Sequence, residues 1–337
     1  MGADRGEGRG HGGHGGGAAG SVPWLPVSPC SVTGCLPGRP AVVGPLRRAA
    51  RRVALFAVLA AGVVALPAVR RRAPERRARL VRRWAGAVAA AAGVRVRVTG
   101  VPAAGPVLVV ANHVSWLDVP LLAAVAPGRM LAKREVGDYP VVGPLAARGG
   151  TLFIDRERLR ALPETVGALT RALRAGSTVA VFPEGSTWCG RERGAFRPAV
   201  FQAALDAGVP VQPVALRYPP VGGRPGVPAD RATQAAFVGD DTLVASLRRV
   251  VAARGLVAEV TVLPPLPAGA HPDRRALARA AQRAVVAALT GEGGEGYRER
   301  EPVGERPAGA VADARHRPGP GSGPGPTPAS DRVRAGA

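Results

Sequence analysis

Residues 106–118 read PVLVVANHVSWLD, and this stretch sets the architecture of the chain. Its first half is a short, continuous apolar run opened by proline, the pattern of a strand buried on both faces. A histidine and an aspartate follow at once, with Leu117–Val125 reading as the opening of a helix. Strand, polar turn, helix is the unit of an α/β domain, and the rest of the chain repeats it. Further β-rich runs lie at 94–99, 128–133, 150–154, 177–182, 210–217 and 257–263. Helical patterns lie between or after them at 117–125, 158–174, 199–207, 241–254 and 273–289. In 158–174, Leu159, Leu162, Val166, Leu169 and Leu173 recur at steps of three and four, giving one apolar face. The expectation is a mostly parallel, mixed sheet flanked by helices.

Outside this core the composition changes. Residues 1–20 are mostly glycine and 318–328 read PGPGSGPGPTP, so a leader over 1–45 and a tail over 291–337 are expected to be disordered. A single sizeable domain is then expected at 93–290, preceded by a helical segment at 46–92. That segment is unusual. Twelve arginines stand between Arg47 and Arg83 against the single acid Glu75, half of the chain's net charge of +22. In their midst runs the uncharged stretch Val53–Val69. Arginine clusters flanking an apolar run point to membrane attachment by helices, with Pro67 and the length of 17 residues at the lower edge for a span. No nucleic-acid partner is expected, because aromatic residues make up only 4% of the chain; a non-enzymatic Arg-rich nucleic-acid-binding or membrane scaffold protein is the remote alternative. Three cysteines cannot build a disulfide framework. Cys30 and Cys35 sit in the leader without a matching His or Cys pair, so free thiols and no metal are expected.

In parallel sheets the chemistry gathers where strands end. Of five histidines only His113 falls at such a point. A histidine near neutral pH becomes a general base when a carboxylate orients its other nitrogen, and Asp118 serves if His113 lies on the turn and Asp118 in the first helical turn. After the strand at 177–182 come Glu184, Gly185, Ser186 and Thr187, suited to an acceptor-binding loop in which Glu184 takes a substrate hydroxyl. After 150–154 come Asp155 and Arg156, whose guanidinium suits a phosphate.

In this order, NHVSWLD at 112–118, GTLFIDR at 150–156, VFPEGST at 181–187 and VPVQPVAL at 209–216 resemble the four blocks of the glycerolipid acyltransferase family, over roughly residues 90–220. The resemblance implies transfer of a fatty acyl group from acyl-CoA or acyl-carrier protein, a co-substrate, to a lysolipid hydroxyl. 1-Acylglycerol-3-phosphate is the acceptor expected first and lyso-ornithine lipid the alternative. It implies His113 as base, Asp118 as its partner, Gly150, Phe153 and Arg156 in the acceptor-phosphate block, and Glu184 to Thr187 in the acceptor loop. No cofactor or metal is implied, and the cytoplasmic face of the membrane is the expected place. Two departures stand out. The family's Glu-Gly-Thr-Arg reads Glu184-Gly185-Ser186-Thr187, leaving Arg191 or Arg193 to supply the missing cation. The downstream Phe-Lys pattern reads Phe196-Arg197-Pro198-Ala199 and keeps a cation but loses a glycine.

Overall fold

The computed structural model describes residues 28–36, 41–140, 142–156, 158–219 and 234–291. All of these fall within one compact unit. The tail expected at 291–337 lies, beyond its first residue, outside the described residues, as does the leader over 1–27 and 37–40. In chain order the elements are α1 (Val32–Cys35), α2 (Pro45–Arg70), α3 (Pro74–Ala91), β1 (Arg95–Thr99), β2 (Leu108–Ala111) and α4 (Asp118–Val125). Then come β3 (Arg129–Lys133), α5 (Val142–Arg148), β4 (Leu152–Ile154), α6 (Leu162–Arg174) and β5 (Val179–Val181). The chain closes with α7 (Gln202–Ala207), β6 (Val211–Arg217), α8 (Leu243–Ala252), β7 (Val257–Val262) and α9 (Arg274–Thr290).

The seven strands form one sheet in the order β1-β7-β6-β2-β5-β3-β4. Five of the six pairings are parallel and only β6–β7 is antiparallel, so the sheet is mixed and mostly parallel, as the alternation of elements requires. Every strand run read from the sequence forms a strand. α5 is a helix that periodicity did not reveal. Its seven residues include a glycine and a proline, too short and too broken for a 3.6-residue pattern to show.

β2 is buried along its whole length and lies at the middle of the sheet. Its residues alternate between two cores, as the period-two pleat dictates. Val109 and Ala111 join Leu117, Leu121, Val214 and Val260 on one face. Leu108 and Val110 join Leu169, Leu173, Phe201, Leu277 and Val285 on the other. α3, α4 and α8 thus cover the first face, and α6, α7 and α9 the second. Leu169 and Leu173 sit on the buried face of α6, in accord with its spacing.

Two expectations need correction. Residues 28–36 of the leader pack into the fold: Ser31 caps α1 by accepting from the Gly34 N–H, and Cys30 is buried in the first core. Nor is the segment at 46–92 separate from the domain. Leu55 of α2, Val88 of α3 and Val251 of α8 make one apolar cluster. Arg51 adds two hydrogen bonds from Nη1, to the carbonyls of Val251 (2.9 Å) and Ala253 (2.8 Å). α2 also runs unbroken through Pro67. Beyond Leu55 it presents Phe56 and Val64 to solvent, and among the described residues it is the helix long and apolar enough to cross a membrane.

Candidate active site

Three neighbouring parallel strands, β6, β2 and β5, end side by side, and their carboxyl ends build the site. β2 leaves the sheet through Asn112. Its amide donates to the Leu216 carbonyl (2.9 Å) and accepts from the Leu216 N–H (2.8 Å), which continues the β2–β6 pairing with a side chain. His113 therefore starts its turn from a fixed point.

The main chain of His113 is held on both sides. Its N–H donates to Glu184 Oε2 (2.8 Å), and its carbonyl accepts from the Trp188 N–H (2.8 Å). Its ring lies flat on Phe182, with centroids 3.8 Å apart and planes 10° apart. Nδ1 lies 2.9 Å from Asp118 Oδ2. Asp118 is the first residue of α4 and is wholly buried. Its Oδ2 also accepts from the N–H groups of Val114 (2.6 Å) and Ser115 (2.8 Å), and its Oδ1 from the Tyr218 hydroxyl (2.5 Å). A carboxylate with so many donors cannot rotate, so the imidazole is fixed in plane. Hydrogen bonding of Nδ1 to a carboxylate sets the tautomer, and Nε2 is then the nitrogen left to take a proton.

The turn after β5 supports His113 from the other side. Glu184 is buried, and both oxygens are occupied by backbone amides, Oε2 by His113 and Oε1 by Gly194 (3.3 Å). It braces the His113 backbone through these contacts. Burial pushes its carboxyl up to about 8, against the pull of those two amides. Gly194 can reach it only as glycine, since a Cβ there would lie 2.5 Å from Trp188 Nε1. Gly185 turns the loop with φ +71. Ser186 and Thr187 are half-buried in the same loop.

The cations separate into distinct groups. Arg156, just past β4, is largely buried; burial and the charge of Arg197 pull its guanidinium down to about 10. Arg197 is also lowered by burial, and its N–H donates to the Pro183 carbonyl (3.0 Å), the residue before Glu184. Gly150 is the left-handed turn residue that leads into β4, and Phe153 packs its ring near Gly137. Arg191 lies beside Cys35 and Cys189, whose interaction raises its guanidinium. Arg193 lends its charge to Glu184.

Asn112 and Phe182 lay within the quoted blocks without a role, and Trp188, Gly194 and Tyr218 were not singled out from the sequence. For Tyr218 a signal existed: it directly follows a strand, as His113 does.

The family model described as Acyltransferase matches residues 95–217. The chain is 41% identical over 253 residues to a lyso-ornithine lipid O-acyltransferase of Pseudomonas aeruginosa, covering 73% of this chain and 93% of that protein. It is 44% identical over 112 residues to a 1-acyl-sn-glycerol-3-phosphate acyltransferase of Neisseria gonorrhoeae, covering 33% of this chain and 44% of that one. Its fold resembles the crystal structure of the 1-acyl-sn-glycerophosphate acyltransferase PlsC from Thermotoga maritima, with a TM-score of 0.53 at 20% identity, over 73% of this chain and 95% of that one.

Proposed function

The chain belongs to the lysolipid acyltransferase family, and we propose that it moves a fatty acyl group from acyl-CoA or acyl-carrier protein to a lysolipid hydroxyl, with His113 as general base. The observation that carries this reading is the 2.9 Å contact of His113 Nδ1 with an immobilised Asp118. Nε2 takes the proton of the acceptor hydroxyl as its oxygen attacks the thioester carbonyl. The tetrahedral intermediate collapses, the carbon–sulfur bond breaks, and the imidazolium returns the proton to the leaving thiolate. Asp118 stabilises the imidazolium while it exists. No protein side chain is acylated in this scheme.

Lysophosphatidic acid is the acceptor we propose, and Arg156 supports it: it stands just past β4, in the block that the family resemblance assigns to the acceptor phosphate, and a guanidinium suits a phosphate. Lyso-ornithine lipid is the second reading, supported by likeness along 93% of the Pseudomonas protein. Incubation of the purified chain with labelled acyl donor and each lysolipid, followed by chromatography, separates them. Faster acylation of lysophosphatidic acid supports the first reading, and faster acylation of lyso-ornithine lipid overturns it.

Membrane attachment belongs to the same reading. α2 runs for 26 residues, about 39 Å, against a hydrocarbon core of about 30 Å, and its apolar stretch is flanked by arginines that suit anionic headgroups. The cytoplasmic face, where acyl donors are soluble, is the side we propose.

A further inference from the structure

All three cysteines of the chain meet at one point, although two come from the leader and the third from the loop after β5. The sulfurs of Cys30, Cys35 and Cys189 lie within 4.8 Å of one another. α1 makes the first half of the group. The Cys35 N–H donates to the Ser31 carbonyl (3.0 Å), so one short turn brings Cys35 back over Cys30. Cys189 follows Trp188, whose N–H holds the His113 carbonyl. Cys30 and Cys189 are buried and Cys35 is half-buried. The sequence reading that left Cys30 and Cys35 without a partner is therefore corrected: the partner is about 155 residues away.

We propose that Cys30, Cys35 and Cys189 form a three-thiolate site for one soft divalent cation, zinc in the first place, which staples the leader to the catalytic loop.

Several observations support it. Packing alone gives no reason for every thiol of the chain to converge from two distant segments, whereas a shared ligand does. Sulfurs bound to one tetrahedral zinc sit about 3.8 Å apart, given bonds of about 2.3 Å, so the group needs only a small contraction. Three thiolates and a divalent cation leave one negative charge in excess. Arg191 lies beside Cys35 and Cys189, and its charge offsets it. Uptake displaces the thiol protons to solvent. Among the described residues no fourth His, Cys, Asp or Glu joins the group, so a water completes the tetrahedron. Thiolate sulfur selects zinc over magnesium or calcium.

The test uses the full-length chain, purified under reducing conditions, and reads metal independently of acyl transfer. Zinc analysis by mass spectrometry is expected to find one equivalent per chain. Exchange with cobalt(II) should give the visible bands of a tetrahedral ion and a sulfur-to-cobalt charge-transfer band. Cys35→Ser, at the most exposed member, should weaken binding at least roughly tenfold, and chelation should lower the melting temperature of the unmodified chain but not of this variant. Three results overturn the proposal: no stoichiometric zinc or cobalt uptake by the reduced, folded chain; uptake unchanged in the triple Cys→Ser variant; or a disulfide between two of the three thiols in protein isolated from cells under thiol-blocking conditions. The cobalt spectrum of the unmodified chain decides the matter even where a variant does not fold.

Discussion

The turns after β2 and β5 leave adjacent parallel strands and reach the same imidazole, yet they act on it in opposite ways. The first, Asn112 to Asp118, supplies the ring and the carboxylate that orients it within six residues. The second, Phe182 to Gly194, never touches a ring nitrogen. It stacks on the imidazole and carries the His113 backbone on Glu184 and Trp188. Each turn buries one carboxylate. Asp118 at the start of a helix has four donors around it, and Glu184 has two amides and a dry surrounding that raises its proton affinity. A buried carboxylate thus serves either as a partner in chemistry or as a brace, and the groups it contacts decide which.

That contrast can be broken experimentally. His113→Ala removes the base and should lower turnover by about 10²–10⁴. Asp118 keeps its amide partners, so the melting curve should change little. Near-normal turnover in that folded variant would remove the first turn from the chemistry. Asp118→Asn keeps an oxygen for the amides of Val114 and Ser115 but favours the wrong tautomer. Steady-state rates should fall by roughly a hundredfold or more, with the circular-dichroism spectrum unchanged.

Arg156→Ala tests the cations beside the second turn. Loss of a charge-assisted contact should raise KM for lysophosphatidic acid about ten- to a hundredfold, while KM for the acyl donor stays within about threefold. Equal loss on lyso-ornithine lipid would show that Arg156 does not select phosphate.

The smallest effect belongs to the brace. Glu184 keeps its proton in the folded state to about pH 8, but loses it near its ordinary value when unfolded. The folded chain then holds more protons across that window, so this residue's contribution to stability falls as pH rises from about 5 to 8. Glu184→Gln should flatten that part of the melting-temperature profile and lower turnover less than roughly tenfold, since Gln still accepts one amide. A profile identical to that of the unmodified chain would show Glu184 ionised throughout.

Much of this was legible without coordinates. Seven strands were readable because apolar β-rich runs bounded by Gly, Pro and polar residues report burial locally. The His113–Asp118 pairing was readable because a turn and the first turn of a helix span it, leaving no distant residue to consult. The basic, apolar character of α2 is likewise a property of composition. α5 was not legible, since two turns of helix with Gly143 and Pro144 carry no periodicity.

What the tertiary structure alone decided is which strand ends become neighbours. Glu184 reaches His113 across 71 residues, Tyr218 reaches Asp118 across 100, and Cys189 meets a leader that local composition marked as disordered. Side-chain periodicity tells which face a residue presents, but the identity of the residue opposite depends on the strand order β6-β2-β5. That order is settled by packing two apolar faces of one sheet at once, a condition on the whole chain that no short window of sequence contains.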